Sequence, residues 1–198
     1  MTNIQNISTV IGRAVLSVNT ANNLGKVSDF AIEPETGKLV GLAVQKLDND
    51  YGLVEYSNIH SIGPDAVMIE DDQSLLPPDQ SPIKGCPLAQ GELIGVKVMT
   101  EEGQLMGKIS KIFMQLVDKP IFVYEVSSSI FDTLLGHGFY FPASLARAYS
   151  DDGISLVVAN DPEKIDRRLE AVAKRLAGAY GLEHRQIGMP QITVRSHS

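Results

Sequence analysis

The sequence predicts an all-β fold that is built twice and finished by one C-terminal helix. Three observations predict it. Short apolar alternations broken by Gly, Pro, Asn and Asp run through most of the chain, which is the pattern of small barrels or sandwiches. A glycine-marked set of segments occurs twice, once around Gly12 and Gly25 and again around Gly95 and Gly107. One helical stripe follows the second set and no other is as regular.

The duplication is carried by named segments. Ile11-Gly12-Arg13-Ala14-Val15 and Leu24-Gly25-Lys26-Val27-Ser28 return as Ile94-Gly95-Val96-Lys97-Val98 and Met106-Gly107-Lys108-Ile109-Ser110, the second spacing shorter by a single residue. Farther on, Tyr56-Ser57-Asn58-Ile59 aligns with Pro142-Ala143-Ser144-Leu145, and Pro64 to Ile69 with Asp151 to Leu156. In the first copy strands are expected at about Ala14–Val18, Lys26–Ile32, Leu39–Leu47, Leu53–Glu55 and Ala66–Glu70. Turns fall at Glu35-Thr36-Gly37-Lys38 and Asn49-Asp50-Tyr51-Gly52, because Gly, Asn and Asp accept positive φ cheaply. Val27, Phe30 and Ile32 with Leu42, Val44 and Leu47 turn one face of each strand inward, and Ile109, Ile112, Phe113, Leu116, Ile121, Val123 and Val126 repeat the pattern.

Between the copies, Pro77, Pro78, Pro82 and Pro87 mark a linker without regular structure, with Leu75, Leu76 and Ile83 as anchors onto neighbouring surfaces. After the second copy, Asp161-Pro162-Glu163 reads as a helix start. Ile165, Leu169, Val172, Leu176 and Tyr180 then recur at spacings of 4, 3, 4 and 4, and Gly181 closes the helix. Lys164, Arg168 and Arg175 fall together on one flank of that helix, while the stripe needs a protein surface to pack on.

Charge and composition exclude whole classes of function. The formal net charge is −7, distributed as −7 over residues 1–80, −2 over 81–160 and +2 over 161–198. Direct nucleic-acid binding needs clustered Lys and Arg, which the chain lacks as far as Asn160. No run approaches the roughly 18 apolar residues of a membrane-spanning helix, and MTNIQNISTV lacks the basic and apolar parts of a signal peptide. A cytoplasmic location is expected. The single Cys86 excludes an internal disulfide, and four scattered histidines make no zinc set.

No reactive constellation emerges. Gly136-His137-Gly138 lacks the third glycine and following helix of a phosphate loop, and Asp48-Asn49-Asp50 lacks the closing acid of a calcium loop. Cys86 has only Lys84 to activate it. His60 has no evident partner, and Glu70, Asp71 and Asp72 with Asp151 and Asp152 read as solvated turns. No catalytic, cofactor-binding or metal-binding residue is expected, and the chain is not expected to be an enzyme.

The residues that carry the duplication also carry a family resemblance. Ile-Gly-x-x-Val, Leu-Gly-Lys-Val-Ser-Asp-Phe, Glu-Thr-Gly-Lys-Leu-Val-Gly-Leu-Ala-Val and Tyr-Ser-Asn-Ile-His-Ser-Ile-Gly-Pro-Asp-Ala-Val resemble the PRC-barrel family, closely over Ile11–Asp71 and more loosely over Ile94–Asn160. That family includes the C-terminal regions of the photosynthetic reaction-centre H subunit and of the ribosome maturation factor RimM. The resemblance implies two small antiparallel β-barrels in tandem, at 8–73 and 91–160, with a Pro-rich linker at 74–90, an amphipathic helix at 161–181 and a polar tail at 182–198. It implies a non-catalytic adaptor that binds protein partners in assembly, with photosynthetic complexes as one setting. A ribosome-associated factor of the RimM type is the alternative. The second copy inserts an apolar loop, Ile130, Phe131, Leu134 and Leu135, costly to leave in water. That loop and the stripe Ile165, Leu169, Val172, Leu176 and Tyr180 are the expected partner-binding residues. A homodimer, and peripheral contact of residues 162–180 with an anionic membrane, stand as further partners.

Overall fold

Fully buried apolar residues alternate along the two longest strands, and the backbone pairs them into one sheet. The computed structural model describes residues 4–115, 120–127, 138–159, 161 and 164–179. Its strands are β1 (Ile4–Asn6), β2 (Ala14–Ser17), β3 (Asn23–Glu33), β4 (Lys38–Gln45), β5 (Tyr51–Glu55), β6 (Ile59–Ile62) and β7 (Ala66–Ile69) in the first half. The second half has β8 (Lys97–Thr100), β9 (Leu105–Gln115), β10 (Ile121–Ser127), β11 (Phe139–Pro142), β12 (Ala146–Tyr149) and β13 (Ser155–Val158), followed by helix α1 (Leu169–Ala179). The architecture is mostly β with one C-terminal helix.

The hydrogen-bonded order is β12-β13-β8-β9-β10-β4-β3-β2-β7-β6, with β5 on β4 and β11 on β10. Read from either end it gives the same sequence of equivalent strands, so the two copies share one strand order. The path is open: it ends at β6 and β12 and does not close into separate cylinders. The repeated glycines explain part of this identity. Gly25 and Gly107 have φ of 139° and 143°, and a Cβ on either would stand 2.1 Å from the Gln45 carbonyl oxygen or 2.5 Å from that of Ser127. No other residue fits where β3 and β9 begin to bend over their neighbours. Gly12 and Gly95 likewise have φ of 87° and 94°, and their N–H groups donate to Val27 and Ile109 carbonyls, each at 2.8 Å.

The copies are joined by a reciprocal exchange. Asn6, at the end of the first copy's lead-in strand β1, pairs with Phe113 of β9, while Leu88, in the second copy's lead-in, bridges to Ala31 of β3. Leu88 is the counterpart of Asn6 as the N-cap residue of the turn that opens its copy, Ala89–Leu93 against Ile7–Thr9, and Phe113 stands to Gly107 as Ala31 does to Gly25. A single contact is thus made twice with the copies swapped. Between these contacts β4 meets β10 at Lys38 and Ile121, and Phe30 packs edge-on to Phe122 with ring centroids 6.3 Å apart. One buried apolar cluster accordingly runs from Ile7 to Ala159 through both copies.

The exchange is fastened on one side by a carboxylate. Asp29, only 6% exposed, accepts the N–H groups of Gln90 (3.0 and 3.1 Å) and Gly91 (3.0 Å) as well as that of Phe30 (2.7 Å). Gln90 and Gly91 open the wide turn Ala89–Leu93, whose first N–H groups have no partner within the turn. The linker before it is laid against the first copy. Leu76 exchanges backbone hydrogen bonds with Leu53 (2.8 and 3.0 Å), and Ile83 covers Gly41, where a Cβ would meet its Cδ1 at 2.4 Å. Short helical turns at Asp72–Ser74 and Pro78–Gln80 punctuate this extended stretch.

Six expectations are corrected. The pairs β2–β7 and β8–β13 are parallel, so the sheet is not wholly antiparallel, and Leu47, past the end of β4, is 71% exposed and does not face inward. Strands β1 and β6 lie outside the expected set. The turn Tyr56–Asn58 corresponds to Ala143–Leu145, one residue from the expected alignment. Strand β7 corresponds to β13 two residues from it, because Ala14 and Lys97 hold equivalent places and pair with Ala66 and Ser155. The cause is a loop of three residues before β7 and of five before β13. Finally, helix α1 starts at Leu169 and not near Asp161, since Asp166 is held extended by a two-way backbone bridge to Tyr140 (2.7 and 3.0 Å).

Two substitutions test this account. Asp29→Ala removes the acceptor of the Gln90 and Gly91 N–H groups, hydrogen bonds that are only part-buried, at about 1 kcal/mol each, so urea unfolding should show a loss of about 2 kcal/mol; a loss near zero would mean the exchange does not need this carboxylate. Tyr124 is fully buried and its hydroxyl has no hydrogen-bond partner among the described residues. Tyr124→Phe should therefore raise stability by about 1 kcal/mol, read in the same experiment.

Candidate interaction surface

The stripe that the sequence offers to a partner is taken up by the chain itself. On β10, Ile121 and Val123 point away from the main core, and Val172 and Leu176 of α1 pack on them with Leu169, Phe113, Tyr140 and Ile4 at the margin. Val172 is 1% exposed. Ile165 lies before the helix and packs against the main core. Val172 and Leu176 are thus buried within the chain, and Ile165 and Leu169 are half-buried beside them. Ile130, Phe131, Leu134, Leu135 and Tyr180 lie outside the described residues, as do Pro162, Glu163 and the tail.

The same face of β10 ends in a buried acid. Glu125 is 2% exposed and stands directly opposite Lys111 of β9, whose Nζ lies 3.2 and 3.4 Å from its two oxygens. Ser110 Oγ donates to it at 3.0 Å, and the Tyr140 hydroxyl hydrogen-bonds it as well. Burial, then this hydrogen bond and the charges of Glu125 and Glu170, push the Tyr140 phenol up to about 12. In the first copy the equivalent opposed pair is Asp29 and Ala43. A buried acid and its partner have therefore moved from fastening the copies together to fastening the helix face.

The basic flank of the C-terminal segment is largely answered by its own acids. Lys164 pairs with Asp161 (2.8 Å), Arg175 with Asp166 (2.7 Å) and, more loosely, Arg168 with Asp166 (3.8 Å). Arg167 sits over the Phe139 ring, 5.3 Å from its centroid. The Arg168 N–H, followed by Arg175 and Arg168 charge, holds the Asp166 carboxyl below its usual range. The apolar stripe of the described part of α1 faces β10. No described helix is long and apolar enough to cross one.

The reactive candidates resolve into turn chemistry. Asp71 caps Ser74 (2.9 Å), Asp72 accepts from Thr20 (2.6 Å) and Asn22 (2.7 Å), and Asp152 accepts from Ser150 (2.6 Å) and the Ile154 N–H (3.1 Å). Asp48 caps the Asp50 N–H (3.1 Å) at a hairpin tip where Asn49 has φ of 69°. His60 pairs with Glu70 at 3.2 Å on the surface. Burial and the Glu33 charge push the Cys86 thiol up, away from a reactive thiolate. Gly138 abuts the Val126 carbonyl oxygen, 3.0 Å from where its Cβ would be, as a strand neighbour. No group of three or more His, Cys, Asp or Glu among the described residues is placed to hold a metal.

These local geometries leave the family comparison to speak for the unit as a whole. Residues 3–76 match the PRC-barrel domain family. The matched stretch runs from β1 through β7 to Leu76, where the chain pairs with β5. No curated protein matches the chain.

What remains presented to solvent is the outer face of the second copy, which sequence reasoning missed. Lys97, Met99, Leu105, Lys108 and Val157 alternate with the fully buried Val98, Leu156 and Val158. Their grouping depends on strand register, so no linear motif announces it; the one local signal is Leu105 directly after the polar turn Glu101-Glu102-Gly103-Gln104.

The helix dock has a pH signature. A raised phenol stabilises below the unfolded value of 10.0 and loses its contribution as pH rises through about 12. A lowered carboxyl stabilises above the unfolded value of 3.8 and loses it as pH falls through its depressed value. Thermal melts should show stability falling on both sides, and Tyr140→Phe should lessen the alkaline part alone, the buried Tyr124 and the Tyr149 phenol, also raised by burial, keeping the remainder. Leu176→Asp should cost about 3 kcal/mol or more, seen as loss of helical signal in circular dichroism.

Proposed function

We propose that this chain is a non-catalytic binding protein of two PRC-barrel units, which organises a larger protein assembly from the cytoplasm. One observation carries the proposal: the strand order of the half that matches the PRC-barrel family recurs in the second half, with different residues on its surface. The acids that might have served chemistry are occupied in caps and turns, which supports a binding role over turnover. The outer face of β12, β13, β8 and β9 is the partner-facing surface, since the helix stripe is already covered. A photosynthetic complex is one setting this reading allows, on family resemblance, and the identity of the recovered partner decides it.

Cross-linking of the full chain in its own cells, followed by identification of what it captures, tests the reading. A defined set of proteins should be recovered with the wild-type chain and lost with Leu105→Asp, a change at an exposed position that leaves the fold intact. Recovery unaltered by Leu105→Asp would reject this surface. Capture of ribosomal particles in place of a separate complex would move the protein to the alternative class.

A further inference from the structure

We propose that the outer face of the second copy seats the β4–β5 hairpin tip of another molecule of this chain, so that two molecules dock reciprocally. The inference rests on the reading of the chain as a binding protein and names the occupant of that surface.

The duplication supplies an internal control for what folding requires. In the second copy Ala148, Val157, Met99 and Leu105 stand opposite one another across β12, β13, β8 and β9, forming an apolar row on the outer face. In the first copy the same four places hold Ser61, Met68, Leu16 and Asn23, polar at both ends. The adjacent row is Ser155, Lys97 and Lys108 in the second copy, against Ala66, Ala14 and Lys26 in the first. The fold is thus satisfied without the wider apolar row and without a second lysine. Two lysines directly opposed across strands repel each other, a cost that an incoming carboxylate would reverse.

The surface is open and its charges are available. Leu105 is 58% exposed, and Ile154, 51% exposed, borders the row with its carbonyl on the Lys97 N–H (3.0 Å). Lys108 makes no ion pair among the described residues. Lys97 makes no ion pair among the described residues; it lies in the field of Asp152, whose carboxylate already serves Ser150 and Ile154. Glu101, at the far end of β8, is engaged by Arg147 (3.7 Å).

The complement is in the first copy. Leu47 and Tyr51 are 71% and 54% exposed and flank Asp48-Asn49-Asp50 at the β4–β5 tip. The tip is pre-organised, with Asp50 carbonyl accepting the Lys46 N–H (2.8 Å) and Asp48 accepting the Asp50 N–H (3.1 Å). It offers two apolar side chains and an outward Asp50 to a surface of apolar row and lysine pair. Its exposure shows that it is not seated on its own molecule's face, so the occupant comes from a second molecule. Each molecule carries both halves of the contact, and reciprocal docking closes a two-fold dimer.

Sedimentation velocity of the full chain over a wide concentration range tests this. The expected result is a reversible monomer–dimer equilibrium that salt weakens. Leu47→Asp and Leu105→Asp should each weaken it at least about tenfold, with unchanged circular dichroism. Asp50→Lys and Lys108→Glu should each weaken it, and the double variant should regain association. A chain that is monomeric throughout, association indifferent to Leu47→Asp and Leu105→Asp, or a double variant no better than the singles would overturn the proposal. Partner capture that depends on Leu105 but not on Leu47 would also overturn it, while leaving the binding function in place.

Discussion

The grip of the Asp29 carboxylate on the Gln90 and Gly91 N–H groups is the contact on which the two-copy arrangement depends. A buried carboxylate is costly unless its oxygens are satisfied, and hydrogen bonds to a charged group are worth about 1.5–3 kcal/mol each. Here both oxygens are met by backbone donors that would otherwise be orphans at the start of a turn. The second copy's lead-in is therefore fixed on the first copy's β3, and the pairing of Leu88 with Ala31 follows. The opposite crossing needs no such device, because Asn6 caps the Ser8 N–H of its own lead-in at 2.9 Å. That leaves position 111, the equivalent of Asp29, free to change to Lys and to answer Glu125.

This asymmetry explains how one frame came to support two surfaces. Once Asn6 capped its own turn, Lys111 and Glu125 could hold a face on which β10 receives α1. The helix covers Ile121 and Val123, side chains that would otherwise lie exposed. The first copy has no buried acid at the equivalent of Glu125, where Ala43 stands. Charge follows the same division: the acidic excess lies before Ser81, whereas the second copy places opposed lysines on its outer sheet.

Much of the frame was legible because it rests on local constraints. Gly12, Gly25, Gly95 and Gly107 sit where φ is positive, and such positions announce themselves in sequence at a fixed spacing. Strands β2 to β4 and β8 to β10 follow from alternation of buried residues. What was illegible depends on distant pairing. The short run Ile4-Gln5-Asn6 carries no strand signal until β9 is there to pair it. The shift of β13 against β7 came from loop length, which alternation does not encode. The helix start moved because Asp166 had a backbone partner in Tyr140, stronger locally than the cap offered by Asp161. Leu169, Val172 and Leu176 of the expected stripe do fall on one helix, but their destination, inward on β10, is a tertiary fact. The outer row of Ala148, Val157, Met99 and Leu105 comes from four strands and exists only in register.

Comparison between the copies separates what the fold requires from what it merely permits. Positions that agree, such as the glycines at 25 and 107, are those where a side chain would collide with backbone. Positions that differ while the backbone does not, such as Asn23 and Leu105 or Ala14 and Lys97, lie on faces where either residue is tolerated. Exposed apolar side chains gain nothing from folding, and opposed lysines lose by it. Their presence in one copy and absence from the other is therefore not a property of the frame. The reciprocal docking proposed above would account for it, since it brings together apolar surface and negative charge, the two properties that the Leu47–Tyr51 tip presents.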